Sequence, residues 1–221
     1  MRAELDSLLD QLLDALVGEA ALALTALAEA ANIVDGGVRG GEEPLPGMED
    51  QIATRYREVE RDVEVLLARQ APVASDLRRV LALLRINHHL ERIGHHAVRI
   101  ARSTQEPMAT PDSAMTAALL GAMADRALDI ATRAVDALNP ADHDAADAIR
   151  DLDAEIDTLE DAVAESAMEE FHGTEGGRER VLWALGVARR LERIGDHAVG
   201  IGLRIRDLPP LQSPPPPRAE G

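Results

Sequence analysis

The sequence predicts an all-α protein of six long helices, arranged as two tandem three-helix bundles with a pseudo-twofold relation. Three observations predict it. The first is a repeat: Leu90-Glu91-Arg92-Ile93-Gly94-His95-His96-Ala97-Val98 returns as Leu191-Glu192-Arg193-Ile194-Gly195-Asp196-His197-Ala198-Val199, with eight of nine positions identical at an offset of 101 residues. Widening the window to Leu77–Ala101 against Arg178–Gly202 keeps 13 identities in 25, so the chain is two copies of one unit. The second is composition. The apolar residues are mostly Ala, Leu, Val and Ile, with one Trp, one Tyr and one Phe, and Ala and Leu mixed with Glu and Arg favour helix over strand. The third is spacing: apolar residues recur every three or four positions over long stretches.

The first helix is expected from Arg2 to about Val34. Leu5, Leu8, Leu9, Leu12, Leu13, Leu16, Ala20, Ala23, Leu24 and Leu27 form its apolar stripe. Asp6, Asp10 and Asp14 run beside that stripe as a solvated acidic face. Asp35-Gly36-Gly37 ends the helix with residues that tolerate left-handed backbone, and a flexible connection continues to Pro46. It lacks the Gly-Lys-Ser/Thr ending of a phosphate-binding loop.

Helix two is expected from about Gly47 to Arg69, with Ile52, Val59, Val63, Leu66 and Leu67 inward. Helix three is expected from Pro72, at a first-turn position, to about Arg102. It carries the first copy of the signature. Residues 105–112 form a Pro-interrupted linker, which divides a first bundle at 1–104 from a second at 113–207. Thr110-Pro111 reads as cap and first-turn proline of helix four, which runs to about Leu138. Asn139-Pro140 opens helix five in the same way, and that helix ends near Phe171. His172 to Gly177 is a turn, and helix six spans about Glu179 to Arg206. Residues 208–221, with Pro214-Pro215-Pro216-Pro217, read as a disordered Pro-rich tail. Short connections make consecutive helices antiparallel.

Charge and residue usage narrow the function. The formal charge of −17 disfavours nucleic acid and suits cations or basic protein surfaces. With no Cys there is neither a disulfide nor a thiolate metal site, which suits a reducing compartment. Apolar runs fall short of the roughly 18 residues of a membrane span, since Glu19 and Glu29 interrupt Ala15–Val34. The acidic start, Met1 to Asp6, does not fit a signal sequence. The expectation is a cytoplasmic protein without direct membrane insertion. Ala-rich helix faces suit a monomer or a homodimer.

The signature carries candidate chemistry. On a helix, Glu192 and Asp196 lie one turn apart on one face. Two such carboxylates repel unless a cation sits between them, so the pair is a candidate platform for a hard cation, iron or manganese. The preceding helix offers a second pair, Asp153 and Asp157, with Glu160 on the same face. Antiparallel packing of helices five and six brings the pairs together as four carboxylates. The competing reading is two solvated acidic faces bridged by Arg189 or Arg193. In the first copy the pair becomes Glu91 and His95, and His88 shares their face, which makes an imidazole–carboxylate set. Its partner helix is poorer, with Glu49 followed by Ala53 where the second copy has Asp157. Gly94 and Gly195 sit mid-helix at a cost of up to about 1 kcal/mol relative to Ala, which close approach of a neighbouring helix would justify.

Ala71-Pro72-Val73-Ala74-Ser75-Asp76-Leu77-Arg78, followed by Leu90-Glu91-Arg92-Ile93-Gly94 and by Leu191-Glu192-Arg193-Ile194-Gly195-Asp196, resembles the PhoU family of phosphate-uptake regulators. The resemblance covers Met1 to about Asp207. It implies two tandem three-helix bundles whose Glu/Asp-x-x-x-Asp motifs bind multinuclear iron or zinc clusters on the bundle surface. Carried over by position, it implies metal at Asp153, Asp157, Glu192 and Asp196. In the first copy it reaches Glu91, while His95 stands where the family has Asp and His89 where it often has an acid. Metal is therefore expected at Glu91 and His95 as well, but more readily in the second bundle than in the first. The resemblance further implies a negative regulator of phosphate uptake and phosphate signalling, with no reaction catalysed. The implied partners are the ATPase subunit of a phosphate ABC transporter and a phosphate-sensing histidine kinase. Two other functions fit the same residues: a carboxylate-bridged dimetal enzyme, and a metal-free helical interaction module.

Overall fold

A computed structural model describes residues 2–36, 45–105, 113–138, 141–169 and 176–208. Among them lie six helices and no strand: α1 (Arg2–Val34), α2 (Met48–Gln70), α3 (Ala74–Ser103), α4 (Ala114–Asp136), α5 (His143–Glu169) and α6 (Gly177–Ile205). Helices α1, α2 and α3 pack on one another, and so do α4, α5 and α6. The two bundles meet through α3 against α6 and α1 against α4. Each meeting pair joins equivalent helices of the repeat, as a pseudo-twofold axis requires. The all-α fold with two three-helix units is thus the one predicted.

The apolar stripes become the core. Leu5, Leu9, Leu12, Leu16, Ala20, Ala23 and Leu27 of α1 are buried, as are Ile52, Val59, Val63 and Leu66 of α2. Leu67 is only half-buried. Helix α1 is long and apolar enough to cross a membrane by length and composition, which corrects the expectation that no stretch would be. Its apolar row is instead spent on α2, α3 and α4.

Helix starts differ from the expectations where proline guided them. Helix α3 begins at Ala74, not at Pro72, with Val73 extended at φ −126° and ψ 159° as its cap. Helix α2 ends on Ala71 in the left-handed region (φ 42°, ψ 54°), whose N–H reaches back to the Leu67 carbonyl at 3.2 Å. That turn places Pro72 between the helices. Ser113 caps α4, its side chain accepting a hydrogen bond from the Thr116 N–H at 3.2 Å. Asp142 caps α5, its Oδ1 accepting from the Ala145 N–H at 3.0 Å. Thr110-Pro111 and Asn139-Pro140, assigned these tasks from sequence, lie outside the described residues. So do most of the loop after Gly36, the linker beyond Gln105, the turn before Glu175 and the tail beyond Leu208.

One feature of the core is polar. Glu19, on the apolar side of α1, is fully buried, and neither carboxylate oxygen has a hydrogen-bond partner among the described residues. Burial, and then the nearby charge of Glu91, push its carboxyl up to about 8. Asn87 is buried on α3, donating from Nδ2 to the Tyr56 carbonyl at 3.1 Å.

Candidate metal centre

The mid-helix glycines set the spacing of the site. A Cβ on Gly195 would lie 2.6 Å from Asp153 Oδ1 and 2.9 Å from Ile156 Cδ1. A Cβ on Gly94 would lie 2.6 Å from Ile52 Cδ1. Both glycines therefore let a neighbouring helix come close, α5 onto α6 and α2 onto α3. The isoleucines fix the register of the repeat: with Ile52 matched to Ile156, Glu49 matches Asp153 and Ala53 matches Asp157.

In the second bundle this approach gathers acids. Burial first, then the charges of Asp157 and Asp196, raise the Asp153 carboxyl to about 6. Glu192 is also raised, first by burial and then by Asp196, with Arg189 pulling the other way. Glu192 Oε2 is buried without a hydrogen-bond partner among the described residues. Arg189 stands 3.2 Å from Glu192 Oε1 and 3.5 Å from Glu160 Oε1. Asp153, Asp157, Glu192 and Asp196 thus share one electrostatic neighbourhood at the α5/α6 contact, with Arg189 at one side. Among the described residues, no three His, Asp or Glu side chains already stand as a finished metal site. The donors nonetheless suit a cation: mutually repelling carboxylates and a buried carboxylate oxygen with nothing to bind.

The first bundle meets the same problem with its own partners. Glu49 is paired with His95 Nδ1 at 3.2 Å and with Arg102. Glu91 lies 3.8 Å from Arg92. The counterpart of Arg102 in the second copy is Leu203 and that of His95 is Asp196, so neither partner is repeated there. The imidazole–carboxylate set of His88, Glu91 and His95 is not brought together. His95 turns to Glu49, and His88 joins the histidines facing α6. Sequence reasoning missed Arg102, which only its three-dimensional position against Glu49 picks out.

A family model described as the PhoU domain matches residues 42–104 and 120–205, one stretch in each bundle. The chain belongs to the PhoU family. It is 30% identical over 179 residues to a phosphate-specific transport system accessory protein PhoU homolog of Pseudomonas putida, covering 81% of this chain and 67% of that one. It is 26% identical over 215 residues to a PhoU homolog of Xylella fastidiosa, covering 96% and 89%. The crystal structure of PhoU from Pseudomonas aeruginosa matches the fold with a TM-score of 0.83 at 24% identity, over 90% of this chain and 96% of that one. The phosphate transport system regulatory protein PhoU from Streptococcus pneumoniae matches with a TM-score of 0.74 at 21% identity, over 91% and 94%. Within this PhoU-family chain the two signature copies have diverged. One keeps its carboxylates crowded, and the other pairs its acids with His95 and two arginines.

Proposed function

We propose that the protein is a regulatory accessory component of a phosphate-specific transport system, acting as a metal-binding helical adaptor in the cytoplasm and catalysing no reaction. Its relatives are named as accessory proteins of such systems. The observation that carries the metal reading is the crowding at α5/α6, where Asp153 is raised by two neighbouring carboxylates and Glu192 keeps a buried oxygen without a partner. Asp153, Asp157, Glu192 and Asp196 would hold iron or zinc there. Bound metal would supply positive charge that fixes α5 against α6. The first bundle, through Glu91 and His95, takes metal less readily because Glu49 is already neutralised. The acidic surface agrees in sign with basic docking surfaces on a transporter ATPase subunit and on a sensor histidine kinase, which the adaptor would connect when phosphate is ample.

Elemental analysis of untagged protein tests the metal, with Glu192→Gln and Asp196→Asn as controls. Iron or zinc lost in both variants supports the reading. Protein that neither carries nor takes up either ion leaves the metal-free interaction module, in which Arg189 serves Glu192 and Glu160. Co-purification with the transporter ATPase from cells grown in ample phosphate tests the adaptor, and an empty pull-down under those conditions refutes it. His95→Asp tests the asymmetry. It frees Glu49 from one partner and restores an acid, so bound metal per chain should rise, and unchanged stoichiometry counts against His95 as the cause.

A further inference from the structure

Four histidines gather where the two bundles meet. His88 and His89 come from α3 and His197 from α6. His89 Nδ1 and His197 Nδ1 are 3.1 Å apart. The ring centroids of His89 and His197 are 5.4 Å apart, those of His88 and His89 6.0 Å, and those of His88 and His197 6.3 Å. The three rings are tilted to one another by 55° to 88°. His96, the repeat mate of His197, stacks on it at 5.8 Å and 23°.

This triangle is wider than a closed three-histidine metal site, and among the described residues none stands finished. Three imidazoles on one tetrahedral zinc, each nitrogen about 2.0–2.1 Å from the ion, place their nitrogens roughly 3.3 Å apart and their centroids roughly 5 Å apart. The nitrogen pair already has that spacing. The centroid triangle is wider by roughly 1 Å at its longest side, a gap that side-chain rotation closes. The rings also diverge in orientation as convergent ligands do. Gly200 of α6 makes the room: a Cβ there would lie 2.7 Å from both nitrogens of His89. A mid-helix glycine costs about 1 kcal/mol relative to Ala, and here it admits an imidazole from the other bundle.

We propose that His88, His89 and His197 form a single inter-bundle site for zinc or a similar borderline divalent ion, which clamps α3 to α6. The chemistry of the rings agrees, since the neutral imidazole nitrogen is a common ligand of zinc. In the metal-free state one of the two facing Nδ1 atoms carries a proton. That proton moves to the Nε2 of its own ring when both Nδ1 atoms bind metal, and both rings stay neutral. His88 is exposed and gives the ion its way in. Two arginines oppose added positive charge, Arg92 and Arg204, and Arg204 is itself paired with Asp207 at 3.2 Å. The site occurs once, because the repeat counterparts of His88 and His89 are Arg189 and Arg190. It is also distinct from the carboxylate centre: Asp196 is turned toward Asp153 on α5, while His197 is turned toward α3.

The test uses full-length, untagged, metal-stripped protein carrying Asp153→Asn, Asp157→Asn, Glu192→Gln and Asp196→Asn, which silences the carboxylates. Zn2+ is titrated against a chromophoric chelator, and Co2+ binding is followed by its visible absorption. The expected result is one equivalent of Zn2+, a cobalt spectrum of tetrahedral type, and a melting temperature raised by the ion. His88→Gln, at an exposed position, and His89→Gln should each weaken Zn2+ binding by about 10-fold or more, the scale of losses when a metal site is disturbed. Gly200→Ala should weaken it without removing a nitrogen. Zn2+ affinity and thermal shift unchanged in His88→Gln and His89→Gln, with the fold intact by circular dichroism, would overturn the site. Because the carboxylates are absent from this background, that failure leaves the α5/α6 centre untouched.

Discussion

Glu19→Gln should make the protein more stable at neutral pH, and the gain should vanish in acid. The unfolded carboxyl titrates near 4.5 and the buried one near 8. Below pH 4.5 both states hold the proton and the burial carries no pH-dependent penalty. As pH rises toward 8 the unfolded chain releases a proton that the fold retains, so stability falls throughout that window. At about 1.4 kcal/mol per tenfold in proton affinity, the penalty is roughly 3 kcal/mol at pH 7 and levels off near 5 kcal/mol above pH 8. Glutamine has the shape of the protonated acid and cannot ionise. Urea unfolding of both proteins at pH 4.5, 7 and 8.5 reads the difference directly. Equal stability at pH 4.5 and a gain of about 3 kcal/mol at pH 7 are expected. A loss of stability in the variant at pH 8.5 would refute the reasoning, since it would mean that the fold holds Glu19 ionised beside a compensating charge.

Asp153→Asn should likewise stabilise metal-free protein above pH 6, because the raised carboxyl loses stability as pH climbs through its folded value, and the same change should remove iron or zinc from the second bundle. Thermal melts with and without metal check both halves. Gly195→Ala drives a methyl into Asp153 and Ile156 and should destabilise by about 1–3 kcal/mol despite the better helix propensity, measured by denaturant midpoint. Ala71→Gly should raise stability by about 1 kcal/mol by relieving the left-handed end of α2, and an unchanged or lower midpoint would count against strain there.

The fold was legible because its signals are long. A stripe such as Leu5 to Leu27 leaves little choice of structure, and a nine-residue signature repeated with one change announces the duplication. Helix starts were less legible. Pro72 suits a first turn, yet the left-handed Ala71 and extended Val73 hold it outside α3. The carboxylate neighbourhood could be read from helix spacing alone. Its counterpart could not, since Glu49 and Arg102 are 53 positions apart and only folding brings them together. Glu19 reads in sequence as an interruption of an apolar run, and nothing local says that it points inward. The histidines hide in the same way, with His89 and His197 separated by 108 positions.

The meeting of α3 with α6, and of α1 with α4, is the geometry of a symmetric dimer whose subunits have been joined end to end. A true dimer must keep its halves identical, so any change at one site is imposed on both. Joining the halves lifts that constraint. One copy can then trade acid for His95 and Ala53 and gain Arg102 where its twin keeps Asp196, Asp157 and Leu203, and an off-axis trio of imidazoles can arise with no mirror image. The same history leaves either half ill suited to life alone: cut apart, each would expose the apolar seam that its sibling now covers.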